Sequence, residues 1–129
     1  MKPEFVADAS AILALVKGEP GADRVRERIA RSIVSAVNVA EVGAKLSDWG
    51  ISGAGLRYAI ANLGFDVAPF DAHQALVSAD LRSATRAHGL SLGDRACLAL
   101  ARSAGLPVLT ADREWRGVGL DVEIELIRK

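Results

Sequence analysis

Short apolar runs alternate along the chain with longer segments in which apolar residues recur every three or four positions. The short runs have the length of β-strands, and the longer segments have the period of amphipathic helices. Strands are predicted near residues 4–7, 33–37, 65–70, 108–110 and 122–127. Helices are predicted over residues 10–16, 21–30, 39–48, 53–62, 72–87 and 93–103. Such alternation is typical of βαβ units, so the predicted fold class is α/β with a parallel sheet covered on both faces.

Length and composition support one packed domain over residues 1–129. The chain is half hydrophobic and a quarter charged, and a chain of 129 residues buries enough surface for a single core. The lone Cys97 cannot form an internal disulfide, which suits a reducing cytoplasm. Asp8 interrupts the apolar N-terminal segment, so neither export nor membrane insertion is expected.

Charge does not mark the whole protein as a nucleic-acid binder, because sixteen basic and sixteen acidic residues give a net charge of zero. Any such binding would depend on local patches. Arg24, Arg28 and Arg31 share one helical face, and Arg82 and Arg86 share another. Either set would suit phosphate, and the favoured alternative is a solvated helix face with local pairs such as Glu27 with Arg31.

Four acidic residues are each flanked in sequence by apolar residues. Asp8 and Asp112 fall at predicted strand ends, while Glu41 and Asp94 fall in the first turns of predicted helices. Acids are rarely buried unless they are paired or bind a ligand, and ligands of open α/β sheets bind beyond the carboxyl ends of the strands. All four acids are therefore candidates for one site at that edge.

Helix capping is the competing interpretation of the same acids. Asn38 with Glu41, and Ser91 with Asp94, both have the spacing of a capping box. Asp8 and Asp112 would serve as simple N-caps. Spacing alone leaves these alternatives open.

The number of acids favours a metal site. Four carboxylates at one sheet edge, with no Lys or Arg obviously placed to neutralise them, would repel one another. Mg²⁺ or Mn²⁺ would relieve that repulsion, because these ions take oxygen ligands and are typically bound through a few carboxylates and substrate phosphates. One cysteine and two distant histidines disfavour zinc.

Three segments resemble the PIN domain, and within that family the VapC toxins of VapBC toxin-antitoxin pairs. They are FVADASAILALV, AVNVAEV and ADLRSATRAHGLSLGDRACLALARSAGLPVLTADREW. The resemblance covers nearly the whole chain and implies that the metal ligands are Asp8, Glu41, Asp94 and Asp112. The sequence departs from the family pattern at Trp115, where Phe is usual. Glu114 is a further acid in the same segment, and its role is open.

The resemblance also implies a three-layer fold with a five-stranded parallel sheet between helices, a homodimer, and a VapB-like antitoxin that wraps the toxin and obstructs its site. The implied activity is Mg²⁺- or Mn²⁺-dependent endoribonuclease, with RNA as substrate. As a hypothesis, the metal would generate hydroxide from bound water for in-line attack on the phosphate, so the expected products carry 5′-phosphate and 3′-hydroxyl ends.

Further residues are candidates for supporting roles. Ser10 and Thr110 stand two positions from Asp8 and Asp112 and would orient those carboxylates, with ordinary backbone hydrogen bonding as the alternative. Arg95 adjoins the metal site in sequence and would contact phosphate, with a helix-surface role equally open. Trp49 and Trp115 are expected to be packing residues.

Two other functions compete with the nuclease. A receiver-like phosphoacceptor also uses Mg²⁺ and an acid after the first strand, although Asp8-Ala9-Ser10 lacks the second acid that such sites carry. A non-catalytic interaction module is the other alternative, with all four acids acting as helix caps.

Overall fold

The computed structural model describes residues 2–129, which form five strands, six α-helices and three 3₁₀ turns. The strands are β1 (Phe5–Ala7), β2 (Ser32–Ser35), β3 (Asp66–Ala68), β4 (Val108–Thr110) and β5 (Ile124–Leu126). The helices are α1 (Ala9–Lys17), α2 (Ala22–Arg28), α3 (Ala36–Asp48), α4 (Gly53–Ala61), α5 (Ala72–Thr85) and α6 (Leu92–Ala104). The 3₁₀ turns are Ile29–Arg31, Arg86–His88 and Arg113–Gly117.

The five strands pair in parallel in the order β3-β2-β1-β4-β5. This confirms the predicted α/β class and the five-stranded parallel sheet. The strand order reverses between β1 and β4, and open α/β sheets bind ligands at the carboxyl ends of strands at such a switch point. The order also differs from the 2-1-3-4-5 order of receiver domains, which weighs against the phosphoacceptor alternative.

Two apolar cores cover the two faces of the sheet, because successive residues of a strand point to opposite faces. Val6 and Val108 pack with α5 and α6, whereas Ala7 and Leu109 pack with α1, α2 and α3. The predicted three layers are therefore present. Helix α6 has seven buried residues, as its Ala- and Leu-rich sequence indicates.

The start of α3 corrects the predicted boundaries. Strand β2 ends at Ser35 rather than at residue 37, and α3 begins at Ala36 rather than at residue 39. The Ser35 hydroxyl accepts a hydrogen bond from Val37 N at 3.3 Å and is the N-cap. Asn38 therefore lies inside the helix, and the predicted Asn38–Glu41 capping box does not form.

The two tryptophans differ. Trp115 is 1% exposed and packs in the core with α6, as expected. Trp49 is 44% exposed, so its assignment as a packing residue was wrong; it follows the end of α3, and Lys17 Nζ lies 5.1 Å from its ring centre. Cys97 is buried and forms no disulfide within residues 2–129. Over residues 2–129, no helix has the length and apolarity needed to span a bilayer.

Candidate active site

Asp8 lies where β1 passes into α1. Its backbone N–H donates to Leu109 O of the neighbouring strand at 3.1 Å, and its side-chain Oδ1 accepts from Ala11 N at 2.9 Å. Asp8 is thus the N-cap of α1, as the capping interpretation expected. Its side chain is also buried, with only 4% of the residue exposed. A capping aspartate is ordinarily on the surface, so this burial indicates more than a cap.

Two hydroxyl groups hold the carboxylate of Asp8. Ser10 Oγ donates to Oδ1 at 2.7 Å, and Thr110 Oγ1 donates to Oδ2 at 2.6 Å. Ser10 also accepts from Ala111 N at 2.9 Å, so it connects α1 to the end of β4. Both carboxylate oxygens of Asp8 therefore have donors, yet all three donors, the two hydroxyls and the Ala11 N–H, are neutral.

Burial raises the pKa of Asp8 from 3.8 to about 6, because desolvation penalises the carboxylate. The hydrogen bonds from Thr110, Ala11 and Ser10 oppose that rise, and the nearby negative charge of Asp94 adds to it. The hydrogen bonds from the protein therefore do not fully offset the cost of burying the ionised Asp8 carboxylate.

Glu41 reaches the start of α6 from the second turn of α3. Its Oε1 accepts from Asn38 Nδ2 at 2.8 Å, and the same nitrogen donates to Gly93 O at 3.0 Å. Asn38 is 1% exposed, and its Oδ1 has no hydrogen-bond partner among residues 2–129. A Cβ atom at position 93 would overlap the Glu41 carboxylate. Glycine at 93 is therefore needed for this approach.

Asp94 forms the predicted capping box with Ser91. Its Oδ2 accepts from Ser91 N at 3.0 Å, and Ser91 Oγ accepts from Asp94 N at 3.1 Å.

Asp112 is the N-cap of the last 3₁₀ turn, where its Oδ1 accepts from Glu114 N at 2.9 Å. Its backbone N–H donates to Thr110 Oγ1 at 3.1 Å, which links Asp112 to the donor of Asp8.

Three of the four acids lie near the buried Cys97 of α6. The pKa of the Cys97 thiol is raised by burial first, and then by the negative charges of Asp8, Asp94 and Glu41. Asp112 joins this group through Thr110. None of the four acids takes part in a salt bridge within residues 2–129.

The donor chemistry suits a hard divalent cation. Glu41, Asp94 and Asp112 each use one carboxylate oxygen in a hydrogen bond and keep the other free of hydrogen bonds in the described chain. In residues 2–129, no three His, Cys, Asp or Glu side chains form a ready-made metal cage. Mg²⁺ does not need one, since it keeps several waters and binds through one or two carboxylates and substrate phosphates.

Arg95 does not face the acids in this structure. Its Nη1 donates to Ser78 O of α5 at 3.2 Å, and its Nε is buried without a hydrogen-bond partner in the described part of the chain. The contact joins α5 to α6, so a phosphate contact from Arg95 stays a prediction.

Asn38 and Gly93 were not predicted as site residues. The one signal in the sequence is the polar residue Asn38, three positions before Glu41, and that spacing predicts a capping box.

Comparison with known proteins places this arrangement in a family. The PIN domain family profile matches residues 5–120. No curated protein gives a significant sequence match. Similar solved structures include a toxin-antitoxin complex from Klebsiella pneumoniae, with 19% identity, a TM-score of 0.77, and coverage of 98% of this chain and 99% of that one.

Two further structures have the same fold. DNA-bound VapBC from Salmonella typhimurium has 18% identity and a TM-score of 0.68, covering 97% of this chain and 98% of that one. A sarcin-ricin loop cleaving VapC toxin from Mycobacterium tuberculosis has 18% identity and a TM-score of 0.69, covering 93% and 99%. These TM-scores establish a shared fold, and the family match spans most of the sequence. The chain belongs to the PIN domain family.

Proposed function

We propose that this chain is an endoribonuclease that hydrolyses RNA phosphodiester bonds with Mg²⁺ or Mn²⁺, and that it is the toxin of a type II toxin-antitoxin pair. The observation that carries the proposal is the buried carboxylate of Asp8, which accepts hydrogen bonds from two hydroxyls and lies beside the charge of Asp94, with no salt-bridge partner among residues 2–129. Membership in the PIN family and the likeness to VapC structures support the same conclusion.

Asp8, Glu41, Asp94 and Asp112 would hold the cation in this proposal. When bound, the cation supplies Lewis-acid charge, which acidifies water and offsets the charge of the phosphate. Ser10 and Thr110 fix the orientation of Asp8 through their hydrogen bonds to its two oxygens. Asn38 fixes Glu41 against α6. The chain thereby presents pre-oriented acids at the carboxyl edge of the sheet.

The proposed partners are an antitoxin and a second copy of the chain. The similar structures from Klebsiella pneumoniae and Salmonella typhimurium are toxin-antitoxin and VapBC complexes, which supports an antitoxin here. A basic side chain of that antitoxin would neutralise the acids, so its binding is expected to compete with the metal.

A cleavage assay with a matched control tests the nuclease. Labelled single-stranded RNA is incubated with the full chain in Mn²⁺, in Mg²⁺ and in EDTA. We expect cleavage only with metal, and 5′-phosphate and 3′-hydroxyl ends on the products. Asp8→Asn is expected to lose more activity than the roughly 10- to 100-fold that the loss of an outer hydrogen-bonding partner costs.

Asp71→Asn is the control, because Asp71 is also a helix N-cap that accepts from a backbone N–H at 2.9 Å, but on the surface at α5. It should keep parental activity. Cleavage that persists in EDTA, or products that end in 2′,3′-cyclic phosphate, would contradict the metal mechanism. Equal losses in Asp8→Asn and Asp71→Asn would reduce Asp8 to a cap, as in the interaction-module alternative.

A further inference from the structure

The structure separates the two arginine groups that the sequence marks as alternatives for phosphate binding. The first group is engaged within the protein. Arg24 Nη1 donates to Leu126 O at 2.9 Å, Arg28 Nε lies 2.8 Å from Glu125 Oε2, and Arg31 Nη1 lies 3.0 Å from Glu4 Oε2. These contacts fasten α2 and the 3₁₀ turn after it to β5 and to the start of the chain. This group is structural.

The second group has no such partners. The side chains of Arg82 and Arg86 make no salt bridge and no hydrogen bond to any residue in the described part of the chain. Both are exposed, and both line a cavity of about 100 Å³ together with Thr85, Gly89 and Leu90. That volume is several times the roughly 10–15 Å³ of cavity space that one water needs, so the cavity has room for phosphate oxygens.

The cavity adjoins the acids. Leu90 precedes Ser91, whose N–H donates to Asp94 Oδ2 at 3.0 Å. Since the carbonyl carbon of Leu90 is bonded to that nitrogen, it lies within about 4 Å of the Asp94 carboxylate. His88, which precedes the lining residue Gly89, has its Cε1 3.7 Å from where a Cβ of Gly117 would stand, in the turn that Asp112 caps. The cavity therefore adjoins the segment that carries Asp94, and the residue next to its wall approaches the turn that follows Asp112.

We propose that Arg82 and Arg86 bind a non-scissile phosphate of the RNA strand whose neighbouring phosphate lies at the acids. This inference rests on the proposed nuclease function and adds a second contact point for the same substrate. A chain of zero net charge has no overall attraction for a polyanion, and its four acids repel one. Two free guanidinium groups beside them supply the missing local charge, and their forked donors match phosphate geometry.

Steady-state kinetics of Arg82→Gln/Arg86→Gln in Mn²⁺ at several salt concentrations tests the site. Charge-assisted hydrogen bonds of this kind predict a rise in KM of about 10- to 100-fold. The kcat value should change less than about twofold, because the acids are untouched. The slope of log(1/KM) against log[salt] should fall by about 0.7 for each phosphate that the variant no longer binds. The Mn²⁺-induced rise in Tm should remain parental, and Arg82→Lys/Arg86→Lys should restore most of the salt slope.

Arg26→Gln/Arg102→Gln is the matched control, since it removes the same charge from two exposed helix positions away from the acids. Arg26 lies on α2, where it pairs with the exposed Asp23, and Arg102 lies eight residues beyond Asp94 along α6, about 12 Å away. This control should keep parental KM.

Three results would overturn the phosphate site without refuting the nuclease. If the parent cleaves RNA while both double variants keep its KM and salt slope, the site is wrong and the nuclease stands. If both double variants lose affinity equally, the effect is one of overall charge. If the Arg82/Arg86 variant keeps its RNA kinetics but fails to bind an acidic peptide that the parent binds, the cavity serves a protein partner. A parent that neither binds nor cleaves RNA would refute the nuclease as well.

Discussion

At the scale of single residues, Asp8 is a buried carboxylate whose protein hydrogen-bond donors are all neutral. Each of its oxygens accepts from a hydroxyl, and Oδ1 also accepts from the backbone of α1. These neutral donors do not fully replace water, because desolvation still raises the pKa of Asp8 to about 6. The residual cost is present only when Asp8 is ionised, so the metal-free protein carries it at neutral pH.

The first prediction follows from this pKa, with the sign set by proton linkage. The folded state holds the proton of Asp8 more tightly than the unfolded state, whose pKa is near 3.8. Stability contributed by protonated Asp8 is therefore present below pH 3.8 and is lost as pH rises to about 6. The rise in pKa from 3.8 to about 6 corresponds to about 3 kcal/mol.

Urea unfolding in EDTA between about pH 4 and about pH 7.5 measures this loss. The free energy of unfolding of the parent should fall relative to that of Asp8→Asn, which has no charge to desolvate at position 8. Parallel pH curves for the two proteins would show that Asp8 is not destabilised in the folded state. Saturating Mn²⁺ at neutral pH should raise the stability of the parent more than that of the variant.

At the scale of elements, the start of α6 combines a cap with a close contact between helices. The Ser91–Asp94 capping box holds the first turn, and Gly93 in that turn leaves room for the Glu41 carboxylate of α3. Asn38 donates to both elements and thereby joins them. A helix terminus is a natural place for carboxylates, since unpaired N–H groups and the helix dipole favour negative charge there.

The second prediction concerns Gly93→Ala. Alanine favours a helix over glycine by up to about 1 kcal/mol, which offsets part of the cost of the new contact. The added Cβ must displace the Glu41 carboxylate, because the two would overlap. We expect little net change in stability in EDTA and a clear loss of the stabilisation that Mn²⁺ provides, measured by thermal melts.

Gly55→Ala in α4 is the control. A Cβ there would meet only Ile51 Cγ2 at 3.9 Å, which is an ordinary contact. This variant should gain helix stability and keep the full response to Mn²⁺. If Gly93→Ala responds to Mn²⁺ as Gly55→Ala does, then the position of Glu41 against Gly93 has no part in metal binding.

At the scale of the whole molecule, the sheet order gathers residues from distant parts of the chain. The strand order reverses between β1 and β4, and Asp8 and Asp112 follow those two strands. Thr110, at the end of β4, donates to Asp8 across a separation of 102 residues. Because these groups meet only in the folded chain, any cation they bind stabilises the fold by mass action.

The third prediction separates capping from metal binding through global stability. Ser91→Ala removes the hydroxyl that caps α6 but keeps the Asp94 carboxylate, so it should lose about 1 kcal/mol in EDTA and keep its full Mn²⁺-induced stabilisation. Asp94→Asn should instead keep about the parental stability in EDTA and lose much of the Mn²⁺-induced stabilisation. Relief of repulsion among the acids offsets its weaker cap, and a roughly hundredfold loss of metal affinity removes up to about 2.7 kcal/mol at saturating Mn²⁺.

Thermal melts of the three proteins, in EDTA and in millimolar Mn²⁺, give both quantities. The comparison is matched because both substitutions affect the same capping box at the same helix end. An Asp94→Asn protein that is less stable than the parent in EDTA, yet gains as much from Mn²⁺, would leave Asp94 a cap alone.

The fold class and the locations of the acids were predictable from the sequence, because they depend on local patterns. Apolar runs of strand length between helical periods predict a parallel sheet, and the carboxyl ends of parallel strands share one edge. The Ser91–Asp94 capping box was predictable for the same reason, since both partners lie within one turn. The proposed metal ligands were selected by resemblance to the family rather than by spacing, which equally allowed four helix caps.

Features that depend on partners far away in sequence became visible only in the folded chain. The start of α3 at Ala36 rather than at Val39 placed Asn38 inside the helix, where its amide reaches Gly93, 55 residues away. Two arginine groups of similar helical spacing separated into one paired with β5 and Glu4 and one left free beside the acids. Periodicity defines which face of a helix a side chain occupies, but the packing of distant elements determines which groups that face meets.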